Sequence, residues 1–221
     1  MASRTLSHAE ARRFYDRLGA GQDRQHFYEG PALAELCEHA RFEQAHAVVE
    51  FGCGTGRFAA ELLAERLPAD ARYLGLDQSE TMVALAGERA ARFGERAQIR
   101  HTNGAPRVPA PDRSFDRFVS TYVLDLLCEA DIRRVLDEAW RVLADDGLLG
   151  LVGLTPGTTA LSRIVAGVWS GIHRLHPALV GGCRPLQAGA FLAPTHWRVE
   201  HRRVVTPFGL PSEIVLAAPH R

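Results

Sequence analysis

Apolar residues recur at helical spacing from Leu6 to Gly19 and again from Pro31 to Phe42, with a polar connection, Gly19 to Gly30, between them. The pattern then changes. Ala47 to Phe51 is a short apolar run ending in glycines, which reads as a strand, and Arg57 to Leu67 returns to helical spacing. The alternation continues with a strand over Arg72 to Leu76, a helix over Glu80 to Phe93 and a strand over Ala97 to His101. Asn103 to Ser114 is rich in Pro and Gly and reads as a loop. A strand over Asp116 to Thr121, a helix over Asp131 to Leu143 and a buried strand over Leu148 to Leu154 follow, the last after an Asp145-Asp146-Gly147 turn. The chain ends differently. Leu161, Ile164, Val165, Val168, Trp169, Ile172 and Leu175 line one helical face, expected to pack on the sheet. Trp197 to Val205 and Ser212 to Ala217 then read as two strands joined by a turn at Pro207-Phe208-Gly209. The predicted fold is α/β: a doubly wound, mostly parallel seven-stranded sheet with helices on both faces, ending in an antiparallel strand pair.

Composition narrows this picture. A chain of 221 residues favours one domain. The 26 basic and 26 acidic residues cancel, so no basic excess marks a nucleic-acid partner. All the basic residues are Arg; without Lys, a lysine Schiff base and most pyridoxal chemistry are excluded. Cys37, Cys53, Cys128 and Cys183 have neither zinc-ligand spacing nor the look of a disulfide framework, and no metal site is expected. The N-terminus is polar and no run is long enough to span a bilayer, so a reduced, cytoplasmic protein is expected.

The chemistry concentrates in Val48 to Arg57, a strand running into a glycine-rich turn and a helix. In open α/β sheets ligands bind beyond the carboxyl ends of strands, where strand order reverses. Glycines let the backbone approach a ligand where a Cβ would collide. Asp77, 21 residues beyond Gly56, ends the next strand and can accept hydrogen bonds from both hydroxyls of a ribose. A dinucleotide site would share this layout, but its third fingerprint glycine falls on Arg57. Glu50, two residues before the first glycine, would repel a pyrophosphate and suits an ammonium. The combination favours a cationic amino-acid nucleoside.

Over Ala47 to Leu154 the sequence resembles the class I S-adenosylmethionine-dependent methyltransferases, especially the small-molecule branch. Val48 to Gly56 is similar to the family's first motif, with Glu50, Gly52, Cys53, Gly54 and Gly56 in place. Leu76 to Met82 resembles the second: Asp77 would hold the ribose, with Gln78 beside it and Met82 against the adenine. Ser114 to Tyr122 and Glu138 to Gly147 resemble the fourth and fifth strand regions, with Thr121 at the cofactor. Many relatives have Gly-Asp after the third strand, where this chain has Asn103-Gly104. Asn103 would then offer a side-chain carbonyl to the adenine, or backbone alone would make that contact. The resemblance implies S-adenosylmethionine as cofactor, and divides the domain into an N-terminal helical cap or lid (1–45), a cofactor-binding core (46–154) and an acceptor-side helix with the terminal strand pair (155–221).

Methyl transfer from a sulfonium is an in-line displacement, and proximity and orientation alone supply about 7–11 kcal/mol. Asp125, just past the fourth strand, is the candidate base or orienting group, against a helix-capping role. Tyr122 is a pocket wall or a core aromatic; Tyr15 and Tyr28 belong to N-terminal segments that in relatives fold over the cofactor as a lid, though aromatic packing alone would also explain them. Arg184, after Gly181-Gly182-Cys183, would pair with an anionic acceptor or lie on the surface. His173, His176, His196 and His201 read as surface or satisfied histidines. The fourth-strand region lacks the N/D-P-P-Y/W tetrad of amino-methylating nucleic-acid enzymes, and no Pro precedes a Cys as in cytosine C5 enzymes. A small-molecule acceptor is therefore expected, with no nucleic-acid partner and no membrane contact. The alternatives are a lipid or quinone headgroup, a catalytically silent subunit that binds the nucleoside, and an NAD-type reductase.

Overall fold

The computed structural model describes residues 5–221. Seven strands form one sheet: β1 (Ala47–Phe51), β2 (Arg72–Asp77), β3 (Ala97–His101), β4 (Phe115–Thr121), β5 (Leu143–Leu154), β6 (Trp197–Val205) and β7 (Ser212–Pro219). Their order is β3-β2-β1-β4-β5-β7-β6. The first five are parallel, and β7 inserts antiparallel between β5 and β6. The order reverses between β1 and β4, so the crevice beyond their carboxyl ends is where such a sheet accepts a ligand.

The period-2 alternation of the strands separates two cores. Val48, Tyr73, Val119, Ile214 and Leu216 face α2 (His26–His39) and α3 (Arg57–Glu61). Val49, Leu74, Phe118, Val215 and Ala217 face α5 (Glu129–Val142), whose Ile132, Val135, Leu136, Ala139 and Val142 are buried at helical spacing. α1 (His8–Leu18) starts at a capping box: Ser7 Oγ accepts the Glu10 N–H, and Glu10 Oε2 accepts the Ser7 N–H. α4 (Glu80–Ala90) is capped by Ser79, whose Oγ accepts the Met82 N–H. The edge strands β3 and β6 are largely exposed; β6 carries Arg198, Arg202 and Arg203, charges that discourage pairing with another edge.

Three elements differ from the sequence-based expectation. Gly19–Gln25 is a 3₁₀ segment running directly into α2, which begins at His26 and carries Pro31 inside it. β5 begins at Leu143, and the expected turn at Asp145 to Gly147 is an irregularity in its pairing with β4. The third difference concerns α6 (Ala160–Leu175). Its buried residues are Ser162, Ala166 and His173, while Leu161, Ile164, Val168 and Leu175 are solvent-exposed rather than packed on the sheet. Among the described residues no helix is long and apolar enough to cross a membrane.

Candidate functional site

The turn after β1 is fastened to the end of β2. The N–H groups of Gly52 and Cys53 both donate to the Leu76 carbonyl, at 2.8 and 3.0 Å. Asp77 Oδ2 accepts the Gly54 N–H and Oδ1 the Ser79 N–H, each at 2.9 Å. Gly52, Gly54 and Gly56 all have φ between 53° and 81°, the left-handed region that residues with a Cβ avoid. The Gly56 requirement is steric as well, since a Cβ there would lie 2.7 Å from the Ala86 Cα.

A cavity of about 390 Å³ opens beyond these strand ends, over the switch point. Gly52, Gly54, Asp77, Gln78, Met82, Gly104 and Thr121 line it. A smaller adjoining cavity is lined by Glu50, Cys53, Arg57 and Glu29, with Gln22, Gly52, Gly54, Thr121 and Tyr122 shared between the two. Glu50 is buried and accepts the hydroxyl of buried Tyr73. Burial pushes its carboxyl up to about 7, and neighbouring Asp77 adds to this. Burial does the same to Glu29, also to about 7. Gln22 Oε1 is buried with no hydrogen-bond partner among the described residues.

Two of the expected cofactor residues stand apart from these walls. Gly56 caps α3 behind the turn. Asn103 is exposed, and its Oδ1 accepts the Ala105 N–H at 3.0 Å, while its neighbours Thr102 and Gly104 reach the cavity.

The far wall is largely apolar: Leu6, Ala11, Tyr15, Tyr122, Val123, Leu126 and Leu127. Tyr122 has φ +55°, uncommon for a bulky residue, and its hydroxyl lies 2.9 Å from Ser212 Oγ. Its ring meets Tyr28 edge-on, and Tyr28 stands behind it. Asp125 is 1% exposed and does not line the cavity. Its Oδ2 accepts the Leu154 N–H at 3.2 Å and its Oδ1 has no hydrogen-bond partner among the described residues. Burial raises this carboxyl to about 7. Arg184 also lies off the cavity, donating to the Leu127 carbonyl at 2.7 Å. The four histidines weighed from the sequence lie elsewhere: His173 is held by the Gly182 carbonyl, His201 by Glu35, and His196 edge-on to Trp140, while His176 is exposed.

The sequence reading missed the residues that the N-terminal segment brings over the site. His8 Nε2 lies 3.0 Å from Asp131 Oδ2, and both residues line the cavity with Cys128. Asp16 Oδ1 accepts the Ser79 hydroxyl at 2.6 Å. Asp23 pairs with Arg89 and accepts the Thr55 hydroxyl, tying the cap to the glycine turn. Tyr15 donates to the Gly181 carbonyl at 3.3 Å. The only signals in the sequence were polar residues on amphipathic segments, which do not identify their partners.

Comparison with known proteins finds methyltransferases and proteins of the same fold. Residues 48–147 match the family model described as a methyltransferase domain. An uncharacterized methyltransferase, YcgJ of Bacillus subtilis, is 30% identical over 132 residues, 59% of this chain and 49% of that protein. The demethylmenaquinone methyltransferase of Lactobacillus johnsonii is 29% identical over 126 residues, 57% of this chain and 49% of its own length. The chain thus spans about half the length of these curated relatives. Among solved structures, the N-methyltransferase NodS from Bradyrhizobium japonicum superimposes with a TM-score of 0.71 at 16% identity, covering 96% of this chain and 99% of NodS. The [4+2]-cyclase SpnF superimposes with a TM-score of 0.73 at 14% identity, covering 99% and 98%. The chain has the Rossmann-like fold of the class I methyltransferases.

Proposed function

We propose that this chain, whose residues 48–147 carry the methyltransferase-domain match, transfers the methyl group of S-adenosylmethionine to an uncharged small-molecule acceptor. The observation that carries the reading is the cradle itself. A glycine turn is fastened to the ribose-binding candidate Asp77, with a buried carboxylate, Glu50, beneath it and an apolar wall opposite. The residues fit the cofactor. Asp77 would accept its ribose hydroxyls and Met82 would lie against its adenine. Glu50 and the unpartnered Gln22 Oε1 would receive its ammonium, and Arg57 in the smaller cavity its carboxylate.

When bound, the cofactor supplies an electrophilic methyl on a sulfonium. The chain's own contribution is orientation and exclusion of water. Tyr15, Tyr122 and Leu126 wall the space in which an acceptor would sit, and the cap closes over it through the His8–Asp131 and Asp16–Ser79 contacts. Among the described residues no Arg lines the main cavity, and the chain has no Lys. His8, which lines the cavity, already faces Asp131, so a phosphate or carboxylate would compete with that carboxylate for it, and Arg184 is committed elsewhere. Tyr122 is assigned to the acceptor wall. Asp125 lies behind it and would act on an acceptor proton only if the wall opens.

A fold does not by itself give a reaction. The shared fold of the [4+2]-cyclase SpnF makes that concrete. Two measurements test the reading. Calorimetry should show binding of S-adenosylhomocysteine and not of NADH. A screen of neutral thiols, phenols, amines and activated carbon acids, read as S-adenosylhomocysteine release, should find turnover. Binding without turnover across the screen would favour a nucleoside-binding subunit or another chemistry.

A further inference from the structure

The apolar stripe of α6 faces outward. Leu161, Ile164, Val168 and Leu175 are 64%, 65%, 60% and 79% exposed. The stripe does not end with the helix. A Cβ at Gly209 would lie 3.3 Å from Val165 Cγ2, so the turn before β7 abuts α6. That turn holds Phe208 at φ +52°, in the left-handed region, with its ring 77% exposed and 5.5 Å from the ring of exposed Phe27. A backbone conformation that a bulky residue rarely adopts is here used to place an aromatic ring in contact with solvent. Contiguous apolar surface of this kind marks an interaction site.

Charge distinguishes the occupants. From Gly147 to Val199 the sequence contains no Asp or Glu, and the cations of α6 are Arg163 and Arg174, both exposed. At 100° per residue the helix divides into three faces. One is buried (Ser162, Ala166, His173), one is the apolar stripe, and the third carries positions 163, 167, 170 and 174. Both guanidinium groups thus lie within about one helix diameter, ~10 Å, of whatever the stripe touches. A second copy meeting this one on a two-fold axis would find no carboxylate on the helix to pair with them. The area is also small for a dimer. A 16-residue helix is about 24 Å long, a stripe ~10 Å wide on it offers a few hundred Å² per partner, and Phe208 and Phe27 add at most ~150–250 Å² each. A stable interface needs roughly 800 Å².

We infer that the outward face of α6, with Phe208 and Phe27, is a docking surface for an anionic lipid bilayer, lying in the interface with its apolar stripe inserted and Arg163 and Arg174 at headgroup level. The inner face of the same helix adjoins the site, since Trp169 Nε1 donates to the Cys183 carbonyl, and a Cβ at Gly182 would meet Leu6 and Leu126 of the cavity wall. A docked helix would therefore sit one layer of side chains from the acceptor wall.

Vesicle co-sedimentation tests this with the full chain. Vesicles of phosphatidylcholine with one-third phosphatidylglycerol should retain the protein, and pure phosphatidylcholine should retain much less. The Val168→Glu/Leu175→Glu double variant changes exposed positions only. It should keep its melting temperature and S-adenosylhomocysteine binding while losing vesicle binding. Arg163→Gln/Arg174→Gln should weaken binding to the anionic vesicles roughly tenfold or more. Absence of binding to anionic vesicles, or binding that neither variant alters, would overturn the inference. So would sedimentation equilibrium showing a dimer that the Val168→Glu/Leu175→Glu variant dissolves, which would make a second copy the occupant.

Discussion

Asp77 Oδ2 accepts the backbone N–H of Gly54 at 2.9 Å, so the carboxylate at the end of β2 and the turn after β1 form one unit. Asp77 has two tasks under the proposed function: it holds the turn, and it offers its remaining lone pairs to a ribose. Asp77→Ala removes both. We expect S-adenosylhomocysteine binding to weaken by roughly 1.5–3 kcal/mol, the range for hydrogen bonds to a charged group. Titration calorimetry measures this directly, and affinity equal to the parent would place the ribose elsewhere.

The glycines of the turn should respond differently to substitution. At Gly56 an added Cβ meets the backbone of α4, the Ala86 Cα at 2.7 Å, and φ is +74°. Gly56→Ala should therefore lower the melting temperature, by strain of about 1–2 kcal/mol before any clash. At Gly54 the nearest atoms are the flexible end of Gln22, 3.1 Å away. Gly54, at φ +53°, carries the same strain without a backbone clash, so Gly54→Ala should chiefly crowd the cavity and weaken cofactor binding, with a smaller loss of stability than Gly56→Ala. If the two variants lose binding and stability in equal proportion, the division of labour between these glycines is wrong.

Much of this was legible in the sequence, for a physical reason. The glycine turn, Glu50 and Asp77 lie at the ends of adjacent strands, so local pattern and spacing reveal them together. The apolar wall of the cavity brings Leu6 and Tyr15 of the N-terminal segment against Leu126, more than a hundred residues away, and no periodicity connects His8 to Asp131. α6 shows a second limit. Periodicity says that a helix has an apolar face but not what covers it. The face that packs inward is instead the small and polar one, Ser162, Ala166 and His173, with His173 satisfied by the Gly182 carbonyl.

Under the proposed function, Glu50 would link cofactor binding to pH. Burial raises its carboxyl to about 7 in the free protein, so below that pH it is mostly protonated. A cationic ammonium beside it favours the ionised form, so binding releases a proton. Affinity for S-adenosylhomocysteine should rise from pH 6 to pH 8, with a limiting slope of about tenfold per unit below 7. Glu50→Gln should bind more weakly at pH 8 and lose most of this slope. Calorimetry in buffers of different ionisation enthalpy counts the proton. A pH-independent affinity in the parent would separate Glu50 from the ammonium.

Asp125 combines a buried, half-satisfied carboxylate with a position just behind the acceptor wall. Its Oδ2 accepts the Leu154 N–H, while Oδ1 has no hydrogen-bond partner among the described residues, and burial lifts its carboxyl from 3.8 to about 7. The sign of the stability effect follows. Between about pH 4 and pH 7 the folded chain keeps a proton that the unfolded chain has released. This group's contribution to stability therefore falls as pH rises through that window, and its penalty is complete above pH 7. Asp125→Asn keeps an acceptor for the Leu154 N–H and never carries the charge. Its melting temperature relative to the parent should therefore improve from pH 5 to pH 8. Turnover then separates structure from chemistry. If Asp125 takes a proton from the acceptor, the Asn variant should lose on the order of 10²–10⁴-fold in turnover with cofactor affinity unchanged. If the melting temperature shifts as expected and turnover on a verified acceptor does not, Asp125 only ties the end of β4 to β5, and methyl transfer proceeds by proximity and orientation alone.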